Sequence, residues 1–96
     1  MTHGTSIPLG VGIIGTGFGL MHLLGFRPCE QVRIVAVCQR TPGKAEAFAH
    51  QHGIPYAFTD YRQVIAHPEV HVVSIAAPPY VHHDMTLAAL AAGKHV

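Results

Sequence analysis

The fold is decided by one stretch near the start of the chain, Leu9-Gly10-Val11-Gly12-Ile13-Ile14-Gly15-Thr16-Gly17-Phe18-Gly19-Leu20-Met21. It opens with the apolar run Val11–Ile14, which has the length of a buried strand. Glycine then occupies every second position, at Gly15, Gly17 and Gly19. Apolar side chains resume with helical spacing at Leu20, Leu23 and Leu24. The pattern therefore predicts a strand, a glycine turn and a helix, in that order.

This order is typical of the first half of a dinucleotide-binding unit. Gly15 permits a tight turn, because glycine adopts backbone angles that residues with a Cβ avoid. Gly17 has no side chain to hold a pyrophosphate away from the main chain, and the following helix offers that anion its N–H groups and positive dipole end. The usual Gly-x-Gly-x-x-Gly pattern has its third glycine where Leu20 stands. The turn by itself is therefore also consistent with an ordinary strand-to-helix connection.

The composition limits the classes of protein to which the chain can belong. Its 96 residues are enough for one small domain, and with 49% hydrophobic and 11% charged residues the chain is not disordered. The net charge of +1, without a basic run, predicts no nucleic-acid partner. We predict no signal peptide and no membrane span, since no apolar run reaches the required ~18 residues. Cys29 and Cys38 lack metal-site spacing, so we expect reduced thiols and a cytoplasmic protein.

Strands and helices alternate along the rest of the chain. We predict strands at Val11–Ile14, Val32–Cys38, Tyr56–Phe58 and His71–Ala76, and His95-Val96 resembles the opening of one more. A helix capped by Thr41, with Pro42 as its first residue, is predicted to end at Gly53. Thr59 is predicted to cap a second helix that ends before Pro68, and a third is predicted over Val81–Ala92. Such alternation predicts an α/β fold with a parallel sheet.

Four segments, taken in order, resemble the N-terminal half of the glucose–fructose oxidoreductase / inositol dehydrogenase (Gfo/Idh/MocA) family. They are the stretches Gly12–Gly19, Ala36–Thr41, Val73–His83 and Ala88–Val96. The resemblance implies a Rossmann-like, doubly wound parallel sheet over residues 9–96, incomplete at its end, after a flexible lead-in at residues 1–8. In the family, the strand that begins Gly-Lys-His-Val continues into a Glu-Lys-Pro motif with a catalytic lysine, and a separate substrate domain follows; both lie beyond Val96. Lys94 belongs to the preceding motif.

The family's activity is hydride transfer between NAD(P) and a sugar, polyol or related alcohol. The resemblance therefore implies the cofactor-binding portion of such an oxidoreductase. It assigns no catalytic residue to this chain, so we expect the chain as given to be inactive and to meet a small-molecule substrate only within a full-length protein. An open sheet edge and a partly covered last helix also predict self-association.

The resemblance assigns twelve cofactor-binding positions in three groups. The pyrophosphate turn comprises Gly15, Thr16, Gly17, Phe18 and Gly19, and the adenosine ribose is met by Gln39, Arg40 and Thr41. The nicotinamide half is bordered by Ala77, Pro78, Pro79 and His82. An acid after the second strand would favour NAD, whereas Gln39 is uncharged and Arg40 suits a 2′-phosphate, so NADP is favoured over NAD.

Several alternatives stay open at this stage. Arg40 is otherwise a solvated loop residue, Thr41 a helix cap, and His82 a packing residue at a helix start. The pairs His50/His52 and His82/His83 lack the i, i+4 spacing of a two-histidine metal site, so we predict no metal. The chain as a whole has two alternatives: a non-catalytic nucleotide-binding or redox-sensing module, and an S-adenosylmethionine-dependent methyltransferase, which would place an acid where Gln39-Arg40 stands.

Overall fold

The structure, a computed structural model, describes residues 9–15, 25, 31–76 and 79–96. The four strands are β1 (Leu9–Ile14), β2 (Val32–Cys38), β3 (Tyr56–Phe58) and β4 (Val72–Ile75). The three helices are α1 (Lys44–His52), α2 (Tyr61–Ala66) and α3 (Pro79–Ala91). All four predicted strands are thus confirmed, with β1 beginning two residues earlier and β4 losing one residue at each end. The predicted lead-in and the helix after the glycine turn lie outside the described residues.

The strands form one parallel sheet in the order β3-β2-β1-β4. The predicted parallel pairing of the two long strands, β1 and β2, is therefore confirmed. Beyond β4, His95 forms a parallel bridge with Val72, and the N–H of Val73 donates to the carbonyl of His95 at 2.7 Å. The chain after α3 thus returns beside β4, as the prediction of a further strand at His95-Val96 requires.

Side chains of the central strands pack on both faces of the sheet, which explains why those strands are almost continuously apolar. On one face, Ala45 and Ala49 of α1 pack with Val11 and Ile13. On the other face, α2 and α3 cover a second cluster, to which they contribute Val64, Ile65, Met85 and Ala89. Helices on both faces of a parallel sheet make a doubly wound, Rossmann-like architecture.

Gly12 lets α2 pack closely on the sheet. A Cβ at this position would collide with Cγ1 of Val64 and would lie 3.2 Å from Cγ1 of Val70. The pairing between β1 and β2 is irregular at this point. Val11 lies opposite Ile34 and Gly12 lies opposite Ala36, so Val35 is an extra residue in β2. As a result, Val35 and Ala36 both pack in the cluster under α2 and α3.

The prediction that Thr41 caps α1 is wrong. The helix begins at Lys44, and its N-cap is Gly43, whose φ of 86° and ψ of −23° are left-handed. The N–H of Lys44 donates to the carbonyl of Thr41 at 3.2 Å, so residues 41–44 form a turn. Pro followed by Gly is typical of a type II turn, which requires a positive φ at its third residue. The Pro42-Gly43 turn therefore replaces the predicted Thr-Pro cap, and the predicted end at Gly53 is confirmed.

The cap of α2 also lies one residue from its predicted position. Asp60, rather than Thr59, is the N-cap, and its Oδ1 accepts a hydrogen bond from the N–H of Arg62 at 2.9 Å. Either residue type suits an N-cap, so local sequence alone does not distinguish them. Helix α3 spans Pro79–Ala91, where Val81–Ala92 was predicted, which places Pro79 at its first position. Within the described ranges, no helix is long and apolar enough to cross a membrane.

Candidate functional site

The carboxyl ends of all four strands lie along one edge of the sheet, because the strands are parallel. Three backbone hydrogen bonds join the chain segments at the carboxyl ends of these strands. The N–H of Gly15 donates to the carbonyl of Cys38 at 2.7 Å, and that of Ala76 to the carbonyl of Ile14 at 2.7 Å. The N–H of Gln39 donates to the carbonyl of Phe58 at 3.1 Å. This is the edge at which open α/β sheets bind their ligands.

Gly15 lies at the centre of this edge, between the ends of β2 and β4. Its φ of 99° is in the region that favours glycine, and a Cβ would lie 2.7 Å from the carbonyl oxygen of Ala76. Both the backbone angle and the lack of space therefore require glycine at this position. Thr16, Gly17, Phe18 and Gly19, the rest of the predicted pyrophosphate turn, lie outside the described residues.

The predicted ribose-binding residues follow β2 directly. Gln39 is half-buried, whereas Arg40 and Thr41 are exposed. The two ion pairs among the described residues join Arg33 to Glu69 and Arg62 to Asp60. Within that part of the chain, Arg40 thus has no carboxylate partner. Because Thr41 does not cap α1, its side chain has no capping role there.

Of the third group of predicted residues, the structure describes Pro79 and His82, which follow the end of β4. Ala76 is hydrogen-bonded to Ile14, Pro79 begins α3, and His82 lies in the first turn of that helix. His82 is exposed, and its Nδ1 lies 3.5 Å from Oγ1 of Thr86, a weak contact at most. Ala77 and Pro78 lie outside the described residues. Pro79 and His82 thus lie at the start of the helix that follows β4.

Two ionisable groups at this edge were absent from the sequence-based prediction. Asp60 accepts hydrogen bonds from the side chain and the N–H of Arg62, which lower the pKa of its carboxyl. Burial, together with the nearby charge of Asp60, raises the pKa of the Cys38 thiol from 9.0 to about 11. Cys38 is therefore a protonated, unreactive thiol near neutral pH. Among the described residues, no group of three His, Cys, Asp or Glu side chains is arranged to hold a metal ion.

A doubly wound sheet with a glycine turn at its ligand-binding edge defines a dinucleotide-binding domain of the Rossmann type. The family model Gfo/Idh/MocA, described as an oxidoreductase family with an NAD-binding Rossmann fold, matches residues 9–96. The chain therefore belongs to this oxidoreductase family. This result excludes the methyltransferase alternative.

Individual relatives agree with the family match. An uncharacterized oxidoreductase of Synechocystis sp. is 37% identical over 89 residues, which cover 92% of this chain and 24% of that protein. Levoglucosan dehydrogenase of Pseudarthrobacter phenanthrenivorans is 36% identical over 98 residues, with coverages of 92% and 25%. This chain thus spans about a quarter of the length of these relatives.

Solved structures with bound cofactor share the fold. Levoglucosan dehydrogenase in complex with NADH superposes with a TM-score of 0.84 and 33% identity over 93% of this chain and 26% of that one. Scyllo-inositol dehydrogenase from Lactobacillus casei, with bound NAD(H) and scyllo-inositol, gives a TM-score of 0.84 and 25% identity over 94% of this chain and 27% of that one. Both structures are of dehydrogenases with a bound nicotinamide cofactor, one named for levoglucosan and the other for scyllo-inositol.

Proposed function

We propose that this chain is the cofactor-binding portion of an NAD(P)-dependent oxidoreductase that acts on a sugar, a polyol or a related alcohol. One observation carries the proposal: three backbone hydrogen bonds bring Gly15, Gln39 and Ala76 to one edge of a parallel sheet. The relatives named for levoglucosan and scyllo-inositol support the substrate class. The cofactor supplies the hydride chemistry, and the chain's own residues bind and orient it.

Each predicted group of residues has a distinct role in this proposal. Gly15 and residues 16–19 receive the pyrophosphate. Gln39, Arg40 and Thr41 meet the adenosine ribose beyond the end of β2. Ala77, Pro78, Pro79 and His82 border the nicotinamide half, at the start of α3. The substrate is a small molecule bound within the whole protein, and we expect neither nucleic acid nor membrane as a partner.

The proposal includes a preference for NADP over NAD. An acid at the end of β2 would accept hydrogen bonds from the ribose hydroxyls and repel a 2′-phosphate, but Gln39 carries no charge. Arg40 is exposed, and no carboxylate pairs with it in the described part of the chain. An uncompensated guanidinium at this position suits a phosphate dianion, to which it donates bidentate hydrogen bonds.

The preference is tested by titrating NADPH and NADH against the wild-type chain and Arg40→Ala. We expect the variant to bind NADPH about tenfold to a hundredfold more weakly, the usual value of hydrogen bonds to a charged group. Its affinity for NADH should change little. Arg33→Ala is the matched control, because Arg33 is also exposed but lies at the opposite, amino end of β2. Unchanged NADPH binding by Arg40→Ala would contradict the role of Arg40.

Two further features complete the proposal. We place the protein in the cytoplasm, in keeping with a chain whose Cys38 is a free, buried thiol. We also propose that the 96-residue chain self-associates. Leu87 and Leu90 of α3 are 53% and 56% exposed. Exposed apolar patches favour association with another copy.

A further inference from the structure

We propose that His67 and His71 form a pH-sensitive latch at the amino ends of the strands, opposite the edge that carries the proposed cofactor site. Each imidazole ring accepts a backbone hydrogen bond, which it can do at the observed nitrogen only in its neutral form. Protonation in mildly acidic solution therefore releases the connection between α2 and β4. The inference is independent of the proposed function, since neither histidine lies at the carboxyl ends of the strands.

The first half of the latch joins His71, just before β4, to Gly10 of β1. The N–H of His71 donates to the carbonyl of Gly10 at 2.8 Å, and the N–H of Gly10 donates to Nδ1 of the His71 ring, also at 2.8 Å. A backbone N–H can only donate, so Nδ1 must be unprotonated and the ring proton lies on Nε2. Gly10 is buried. Protonation of Nδ1 therefore removes the acceptor of a buried N–H, which is costly to leave unpaired.

The second half of the latch is the ring of His67, the C-cap of α2. Its Nδ1 accepts a hydrogen bond from the N–H of Glu69 at 3.1 Å, so this ring too must be unprotonated at Nδ1. The ring also packs against that of Tyr56 in β3, with 4.4 Å between the ring centroids. The connection 67–71 between α2 and β4 is thus held at both ends by a neutral imidazole.

The charged groups around the latch do not compensate a cationic ring. The carbonyl of His67 accepts a hydrogen bond from Nζ of Lys94 at 3.1 Å, so protonation would add a second positive charge to that region. The acid of the connection, Glu69, is already paired with Arg33 at 2.8 Å. His95, in the segment that returns beside β4, adds a further titratable ring. Like charges therefore accumulate as the histidines are protonated, and their repulsion favours release.

The latch is sensitive to pH in one direction. Imidazole is the side chain whose charge ordinarily changes between about pH 5 and pH 8. The stabilisation is complete where both rings are neutral, and it is lost as the pH falls through that range. Release loosens the connection 67–71 and the amino end of β1.

The latch is tested by thermal unfolding of the wild-type chain and His71→Asn between about pH 8 and pH 5. The side-chain oxygen of asparagine can accept the N–H of Gly10 at every pH in this range. Over the range, we expect the midpoint of the wild type to fall by about 4–8 °C more than that of His71→Asn, the size expected for one lost hydrogen bond in a domain of this length. His67→Asn should remove a smaller part of the pH dependence, because its partner Glu69 is exposed. His83→Asn is the matched control: His83 is exposed on α3, and its ring makes no hydrogen bond within the described part of the chain, so its curve should run parallel to that of the wild type.

A second measurement uses the wild-type chain alone. Nitrogen NMR of the imidazole rings should show the Nε2–H tautomer of His67 and His71 at the upper end of the pH range, and the amide proton of Gly10 should shift as the ring of His71 is protonated. An Nδ1–H tautomer of His71, or a Gly10 amide that does not respond to pH, would refute the latch. Parallel midpoint curves for the wild type and His71→Asn would refute it as well. Each of these outcomes leaves the proposed cofactor site, at the other ends of the strands, untouched.

Discussion

At the scale of single residues, the candidate site depends on Gly15. The residue combines a left-handed backbone with a near-contact to the carbonyl of Ala76, and its N–H is bonded to Cys38. A side chain would strain the turn and displace the end of β4 at the same time.

We predict that Gly15→Ala destabilises the chain more than Gly53→Ala does. Gly53 has a φ of +69° but open space around it. Gly53→Ala therefore measures only the cost of a left-handed backbone for a residue with a Cβ, about 1–2 kcal/mol. Gly15→Ala adds the collision with Ala76, so we expect a larger loss in the free energy of unfolding, together with loss of NADPH binding. Urea unfolding of both variants gives the comparison. Equal losses would show that the near-contact at Ala76 has no energetic effect.

At the scale of elements, α2 is held at its start by Asp60. The carboxylate caps the helix through the N–H of Arg62 and binds the guanidinium of the same residue at 2.9 and 3.0 Å. A six-residue helix has little stability of its own, so its stability depends on its cap and on the buried side chains of Val64 and Ile65. The closeness of α2 to the sheet, which Gly12 permits, adds to this packing.

The cap predicts a specific loss of stability in acid. Because the pKa of Asp60 is lowered by folding from its ordinary 3.8, its contribution is complete above that value and is lost as the pH falls through the lower, folded pKa. Asp60→Ala should therefore lower the thermal midpoint at pH 7 and flatten its dependence on pH below about 4. Asp60→Asn retains a capping acceptor but not the ion pair, so its thermal midpoint at pH 7 should lie between those of the wild type and Asp60→Ala.

Thermal unfolding of the three proteins between pH 7 and pH 2.5 makes this comparison. Arg33→Gln is a suitable control, since it breaks the other exposed ion pair without touching a helix cap. Parallel midpoint curves for the wild type and Asp60→Ala throughout that range would show that Asp60 is not coupled to folding.

At the scale of the whole molecule, α3 is apolar on two sides. Met85 and Ala89 are buried against the sheet, whereas Tyr80, Leu87 and Leu90 are exposed on the outer side. Exposed apolar side chains on one side of a helix favour contact with another surface. The outer side of α3 is therefore the surface through which we propose that copies of the chain associate.

We predict that Leu87→Glu/Leu90→Glu suppresses self-association without unfolding the chain. Both leucines are exposed, and glutamate is a good helix former, so stability should change by less than about 1 kcal/mol. Light scattering across a concentration series measures the association. Gln51→Glu/Gln63→Glu adds the same negative charge at exposed polar positions and serves as the control. A wild-type chain that is monomeric at every concentration, or equal scattering by both variants, would refute the prediction.

Local sequence patterns were sufficient to predict the four strands and the class of fold. The bounds of β2 and β3 agree with the prediction to the residue, because a run of β-branched or aromatic side chains between turn residues is a local signal. The glycine turn and the four ordered segments indicated the family that the comparison confirmed. Local capping rules were insufficient where neighbouring residues both suited the start of a helix. Thr41 and Pro42-Gly43 were alternatives at α1, and Thr59 and Asp60 at α2.

Which of these residues meet depends on the arrangement of the strands in the sheet. Gly15, Gln39 and Ala76 are far apart in the sequence and become neighbours because the strand order β3-β2-β1-β4 sets the ends of β2 and β4 on either side of β1. The same order placed Asp60 near Cys38. Periodicity and capping depend on residues a few positions apart, whereas strand order depends on contacts between distant segments, which no local pattern encodes.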